Sequence, residues 1–351
     1  MPADVSPVLL AIAGLGVGFV VGLTGMGGGA LLTPLLVLLF GIDPTKAVGS
    51  DLVVSLIMKP LGGSVHLRRG TVHLKMVLWL SLGSVPAAFS AVWVFTTFFG
   101  DDLNDVVQYA VGGALLLASL GLVVKGAFAT RSTASDDGLT NIIVRPLPTL
   151  FIGVFGGLAV GITSVGSGSL MVPLLLMLYP LLTSKQLVGT DLVQAVPLVA
   201  AAALGHAVFG SIELSLTIAL LIGALPGVWI GAHVSSRAPD HVIRPLLAVV
   251  LIVSGLKMLG VTSILVGLVG FGLLTGAAAV IVRSGRRLRA EAEADAAAEA
   301  PAAATTSSTR TPTRAPAAAG AGSRDGASMP IESKPSSPAP TIASGHLPTD
   351  E

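Results

Sequence analysis

The sequence contains no cysteine, which excludes disulfides, thiolate-bound metals and a cysteine nucleophile. Charge is scarce as well. Asp, Glu, Lys and Arg make up 11% of the 351 residues, against roughly 25% in soluble domains. The formal net charge is +1, and Lys and Arg do not cluster outside loops that flank apolar runs, so the electrostatic footprint of a nucleic-acid binder is missing. No spacing of His, Asp or Glu suits a metal ion, and nothing calls for a cofactor. What fills the sequence is apolar: 52% of it is hydrophobic, and most of the chain must therefore face lipid. The N-terminal stretch MPADVSPVLLAIAGLGVGFVVGLTG lacks the basic region and cleavage site of a signal peptide and reads as a retained first helix.

A spanning helix needs about 20 mostly apolar residues. Nine stretches approach that length, at about 6–24, 48–66, 75–97, 106–126, 147–164, 190–208, 214–232, 243–259 and 262–282. Two others, near 30–40 and 169–179, cover only about half of a hydrocarbon core about 30 Å thick. They read as half-helices. Beyond residue 284 the composition turns to Ala, Pro, Thr and Ser, which can build no core and reads as a disordered tail. The predicted fold is an all-α polytopic membrane protein with eight or nine full spans and two half-helices. Its parts are a first membrane repeat (1–130), a linker (131–146), a second repeat (147–260), an additional helix (261–283) and the tail (284–351).

The repeat is visible in the residues. Gly22-Leu-Thr-Gly-Met-Gly-Gly-Gly-Ala-Leu-Leu-Thr-Pro34 aligns with Gly161-Ile-Thr-Ser-Val-Gly-Ser-Gly-Ser-Leu-Met-Val-Pro173 at an offset of 139. After one inserted residue the offset is 140, pairing Gly49-Ser-Asp51 with Gly189-Thr-Asp191, His66 with His206, Gly83 with Gly223 and Pro86 with Pro226. Shared hydrophobicity alone would not match Asp, His, Gly and Pro in order. Duplicated membrane units are the mark of secondary transporters, whose solute sites lie between repeats near the midplane. Loop charge predicts the orientation of the halves. Arg68, Arg69 and Lys75 place one loop inside by the positive-inside rule, while its counterpart at 209–213 carries only Glu213. The acidic loop 101–105 falls outside, and its counterpart carries Arg237 and Arg244. The halves are thus predicted to be inverted, with the linker and the tail, behind Arg283, Arg286, Arg287 and Arg289, in the cytoplasm.

Each half is interrupted by a glycine-rich break, Gly25-Met-Gly-Gly-Gly29 or Ser164-Val-Gly-Ser-Gly-Ser169. Non-helical backbone at membrane depth must be buried or line an aqueous cavity, because lipid cannot satisfy its amides. The start of each half-helix presents free N–H groups at the positive end of its dipole, a ready anion site. Gly27, Gly28, Gly29, Gly166 and Gly168 would supply amides there, and Thr24, Thr163, Ser164, Ser167 and Ser169 hydroxyls. Close helix packing through small residues is the competing use of such glycines. Asp51, Lys59, Gly62 and His66 fall within about 80° of arc at ~100° per residue, and ionisable residues inside spans are functional candidates. Lys59, opposite Val199 in the second half, is a candidate countercharge for an anion. Asp51, Asp191, His66 and His206 are candidates for proton coupling. Asp51 equally suits a helix cap, opening the 48–66 span at Gly-Ser-Asp, and Lys59 suits snorkelling to the interface. A serine hydrolase built on Ser167 and His206 is disfavoured, since Val165-Gly-Ser-Gly168 is not the expected motif and the first half has Gly28 at the matching position. No other complete catalytic set is present.

The ordered set of Gly22-Leu-Thr-Gly-Met-Gly-Gly-Gly-Ala-Leu-Leu-Thr-Pro34, Val48-Gly-Ser-Asp-Leu52 and His66-Leu-Arg-Arg-Gly-Thr-Val72, with its abbreviated second copy, resembles the TauE/SafE sulfite exporter family over about residues 8–260. The resemblance implies a multi-pass plasma-membrane permease for small anions such as sulfite, sulfoacetate or other organosulfonates. Residues and resemblance together predict a secondary transporter of an oxyanion working by alternating access, with one half rocking against the other. The partners implied are a small anionic substrate, the lipid bilayer and protons. A cation-coupled transporter using Asp51 and Asp191 as ligands, and a membrane scaffold without flux, are the alternatives. For the orientation, a reporter fused to the C-terminus is expected to be protected from external protease in intact cells; an accessible reporter would refute the assignment.

Overall fold

A computed structural model describes residues 6–24, 28–129, 143–209, 212–234 and 240–282. The chain divides into two units, Met1–Glu291 and Ala292–Glu351, and everything below concerns the first. All regular structure among the described residues is helical. In chain order the elements are α1 (Pro7–Thr24), α2 (Gly29–Phe40), α3 (Pro44–Arg68), α4 (Leu74–Phe99), α5 (Leu103–Ala129), α6 (Pro146–Thr163), α7 (Met171–Leu178), α8 (Ser184–Val208), α9 (Leu214–Val234) and α10 (Asp240–Met258), followed by α11 (Ser263–Val282). The nine expected spans each fall on a helix. Seven continuous apolar stretches are long enough to cross a bilayer, one of which, Leu74–Leu122, takes in α4 and most of α5. The two half-helices are α2 and α7, about 18 Å and 12 Å long at ~1.5 Å per residue. The linker up to residue 142 and the tail lie outside the described residues, as do Gly27, Arg237 and the arginines from Arg283 onward.

Two boundaries differ from the sequence reading in a way that matters for the site. α3 starts at Pro44, with Pro in its first turn, and α8 starts at Ser184 behind a capping box in which Thr183 and Gln186 bond each other's backbone amides. Hydropathy falls off before these starts, but proline at the first helical position and a satisfied cap carry the helix further. Asp51 therefore does not open its helix, and the capping role considered for it is excluded. It lies about two turns inside α3 and is fully buried.

The packing exchanges partners between the repeats. α1 packs along α9, and its counterpart α6 packs along α4, the counterpart of α9; these are the most extensive helix pairs in the structure. α3 meets its own counterpart α8, and α5 meets α10. Glycine explains the closeness of the two long pairs. A Cβ added at Gly14, Gly18 or Gly22 of α1, or at Gly223, Gly227 or Gly231 of α9, would fall under 3.0 Å from the other helix's backbone. The same holds for Gly153, Gly157 and Gly161 of α6 against the carbonyls of Leu80, Ser84 and Ala88 on α4. Each ladder is a small residue at every fourth position, the arrangement that lets membrane helices touch backbone to backbone. Close packing is thus the role of these ladder glycines, which lie outside the two breaks.

Between these pairs, α3 and α8 form the centre, where Val48, Leu52, Leu198 and Ala202 pack with Val165 and Leu170 of the second break. Gly18→Ala is expected to lower stability by about 1–3 kcal/mol through overpacking. Gly16→Ala, where a Cβ meets nothing within 4 Å, should be neutral or stabilise by about 0.5–1 kcal/mol. Thermal unfolding of both variants in detergent checks the contrast, and equal behaviour would refute the ladder.

Candidate functional site

Break and helix meet at α3. The polar residues Asp51, Ser55 and Lys59 recur every fourth position, on one face of the helix, and all three are buried. The second break turns sharply beside them. α6 ends with Ser164 in the left-handed conformation (φ 58°), its amide bonded to the Val160 carbonyl, and Gly166 follows at φ 138°. The Gly166 carbonyl then accepts from both Leu170 and Met171, which closes the turn into α7. A non-glycine residue in the left-handed region costs roughly 1–2 kcal/mol. At this place the strained turn aims the Ser164 hydroxyl at Asp51, donating to Oδ2 at 2.6 Å. Thr33 of α2 donates to the same oxygen at 3.2 Å.

Lys59 is only 6% exposed, and its ammonium donates to the Ser167 hydroxyl of the second break. It does not snorkel. Asp51 of the same helix and Asp191 of α8 both interact electrostatically with the ammonium. The first break reaches the same place. Gly28 begins α2 without a side-chain cap, and a Cβ added to it would lie 3.2 Å from Asp51 Oδ1. Gly29 abuts the Ser164 carbonyl so closely that any side chain there would collide with it. The two breaks are thus in direct contact, bridged by α3.

A cavity of about 350 Å³ opens beside this cluster, walled by Gly28, Ser55, Met58, Lys59, Leu192 and Trp229. Such a volume is at the small end of ligand sites. Lys59 brings its amino group to the wall, and the first turn of α2 adds the unpaired amides with which any helix begins.

The remaining predicted residues divide. Thr24 turns its hydroxyl onto its own helix, at Val20 O (2.8 Å), whereas Thr163 donates to Ala159 O (2.6 Å) and accepts from the Val165 amide (3.1 Å), tying the end of α6 to the second break. Ser169 is buried, with its carbonyl against Gly121 of α5. His206 sits on the Gly161 carbonyl, its Nε2 at 2.9 Å, where it covers an acceptor at the C-terminal end of α6. His66 bonds Thr71 at 2.9 Å, near the end of α3 and about 22 Å along that helix from Asp51 at ~1.5 Å per residue. Neither histidine bonds Asp51 or Lys59, and Ser167 bonds Lys59 rather than His206, so the hydrolase arrangement has no geometric support. Among the described residues no cluster of His, Asp and Glu could hold a metal ion.

Sequence reasoning missed Thr33, Ser55 and a further buried pair in which Gln194 of α8 donates to Ser84 of α4 at 2.8 Å. Ser55 stands four residues from both Asp51 and Lys59, and Gln194 three from Asp191. A search for polar residues sharing a helical face would have found both.

The Sulfite exporter TauE/SafE family profile matches residues 10–258. A probable membrane transporter protein of Bacillus subtilis, YjnA, is 39% identical over 254 residues, covering 72% of this chain and 99% of the relative. A second from the same organism, YdhB, is 24% identical over 69% of this chain and 96% of its own length. The probable membrane transporter protein MJ0441 of Methanocaldococcus jannaschii is 26% identical over 72% of this chain and 94% of the relative. No solved structure matches the chain.

The strained turn yields a graded expectation. Ser164→Ala keeps the unfavourable φ and strips Asp51 of its shorter hydrogen bond, so it should destabilise by about 1–3 kcal/mol. Ser164→Gly, which adopts positive φ freely, should cost less. Denaturation midpoints in detergent that rank the two the other way would contradict the assignment.

Proposed function

The chain belongs to the TauE/SafE sulfite exporter family, and on that footing we propose that it is a secondary transporter of small anions, with the substrate's charged group bound beside Lys59. It is a multi-pass membrane protein of a transporter family. The anionic substrate rests on one observation: a buried lysine of a spanning helix and the start of half-helix α2 share one cavity wall. A charged group in a span is costly unless it is paired or serves a pathway. Lys59 donates to a hydroxyl, with Asp51 and Asp191 acting on it electrostatically, so its ammonium can turn to a ligand once one of those carboxylates is neutralised. Ser55 and the Gly28 end of α2 would orient the oxyanion in the cavity, while the turn through Ser164, Gly166, Ser167 and Gly168 holds Asp51 and Lys59 from outside it. Sulfite, sulfoacetate and other organosulfonates are the substrates that the family suggests.

Charge balance suggests the coupling. Asp51, Asp191 and Lys59 together carry a net negative charge when all are ionised, and adding an anion would deepen the imbalance in a low-dielectric site. Uptake of a proton by one of the two carboxylates offsets the added charge of a monoanion and returns the site to its starting charge. Anion binding would then tighten as pH falls, and the two species would travel together. The ionisable group acting on Asp51 in this scheme is Lys59 on its own helix, and Asp191 of α8 acts on Lys59 in turn. His66 and His206 stand apart and are assigned supporting roles at the ends of α3 and α6. The same surplus of negative charge also fits a cation-coupled mechanism, in which Na⁺ replaces the proton between the carboxylates; a flux driven by a Na⁺ gradient and indifferent to pH would favour it.

Loop charge supports two oppositely oriented repeats, residues 1–130 and 147–260, joined by a cytoplasmic linker (131–146) in the plasma membrane, with the tail inside; the reciprocal pairing of α1 with α9 and of α6 with α4 fits a two-fold relation between them. That pairing also argues that the moving bodies are not the two repeats themselves, because each glycine ladder joins one repeat to the other. Alternating access would instead separate the α1–α9 and α4–α6 pairs about the central α3 and α8.

Transport of sulfite and small sulfonates into proteoliposomes tests the site. Lys59→Ala and Gly28→Leu should each reduce flux at least tenfold while the protein still inserts. Asp51→Asn should remove the pH dependence of binding. Wild-type flux in Lys59→Ala would sink the reading.

A further inference from the structure

The cavity is larger and drier than an inorganic oxyanion requires. Sulfite is a single sulfur with its oxygens, and its charge would be met entirely at one end, by Lys59 and Ser55. Almost all the remaining lining is hydrocarbon: Met58, Leu61, Val65, Leu192 and Val228, with the face of Trp229 and the bare backbone of Gly62. An ion filling such a space with its hydration shell would find few partners there, because a bound water needs two to four polar neighbours, roughly. The rim points the same way. Leu61, Val65 and Trp229 are strongly exposed on the surfaces of α3 and α9, both of them candidate spans, so the apolar end of the cavity opens towards the hydrocarbon side of the molecule.

Resting on the anion-transport reading above, we infer that the cavity takes an organic monoanion with an apolar body, a sulfonate or carboxylate whose head group meets Lys59 and whose chain or ring lies along Met58, Gly62, Leu192 and Trp229. The positive charge fixes the sign of the ligand, and the apolar wall fixes the nature of the rest of it. The cavity is too small for a two-chained lipid, so the occupant is a free amphiphile with a single tail. Inorganic sulfite would be bound at the head position alone and would leave the apolar part empty. Selectivity would then follow hydrocarbon length, because each methylene moved from water to the wall improves affinity by about three- to fourfold.

Titration calorimetry on the purified full-length chain in a neutral detergent tests this, using linear alkanesulfonates from methanesulfonate to octanesulfonate alongside sulfite and the matching alkanols. The expected result is affinity that climbs by about three- to fourfold per methylene until the cavity is filled, with sulfite weaker than the longer sulfonates. Each alkanol should bind at least tenfold more weakly than the sulfonate of equal length. Two variants divide the contributions. Lys59→Ala should abolish the preference for sulfonate over alkanol. Gly62→Leu, whose Cβ would meet Leu192 at an ordinary 3.5 Å and which stands in the cavity wall, should fill the apolar part and flatten the gain with chain length. Affinity that is flat or falling with length while sulfite binds well would overturn the amphiphile and leave the anion site standing. A chain-length gain undiminished in Gly62→Leu would place the tail elsewhere, in the micelle or on another surface, and overturn it too. Absence of binding by any anion, or binding indifferent to Lys59→Ala, would bring down the underlying anion reading as well.

Discussion

Hydrocarbon cannot solvate an ion, and this chain places a carboxylate and an ammonium on one face of a membrane helix. Asp51 and Lys59 in α3 lie in the middle of the molecule, and much of the surrounding architecture serves to receive them. The second break folds into a strained turn, so that Ser164 reaches the carboxylate and Ser167 the ammonium. The first break starts α2 beside the same carboxylate, with Thr33 following as a second donor. Had either segment continued as a plain helix, its backbone would be satisfied within itself, but the buried charges would lose their partners. Breaking two helices is the structural means of keeping those charges inside.

The glycine ladders supply the complementary condition. A break is tolerable only within a rigid frame, and lipid gives helices little hydrophobic reason to associate. Backbone contact at every fourth residue along α1–α9 and α4–α6 provides cohesion without bulky side chains. It also explains why the two repeats interlock instead of packing as separate halves, since each long pair draws one helix from each. The asymmetry between repeats is concentrated at the site itself. Ser164 stands where the first repeat has Gly25, Ser167 where it has Gly28, and Lys59 where the second has Val199. A frame that is symmetric thus encloses a centre that is not.

Much of this was legible in the residues. Hydropathy located a helix at each of the nine expected spans, although the apolar part of α10 is shorter than a full span, and at both half-helices, and the ordered match of Asp, His, Gly and Pro exposed the duplication. Lys59 stood out through its missing counterpart, and the structure gives it a partner in one of the very serines singled out in the second break. The starts of α3 and α8 were misread because hydropathy does not register a proline in the first turn or a Thr–Gln capping box. That error made Asp51 look like a cap when it lies within the helix. Thr24 has the right chemistry and chain position, but its hydroxyl bonds the carbonyl one turn back in its own helix, an outcome set by rotamer and invisible to spacing. The histidines matched across the repeat without converging on the charged pair, because partner exchange sends the ends of α3 and α8 to different surroundings.

Interlocking also sets an order on biogenesis. α4 meets its ladder partner α6 soon after leaving the ribosome, with one intervening span and the linker between them. α1 must wait for α9, which follows by about 200 residues, an interval of roughly 10–40 s at about 5–20 residues per second. Through that time the small-residue face of the first helix has only lipid or an insertion chaperone against it. Early α1 is thus a placeholder whose final position is decided by a helix not yet made.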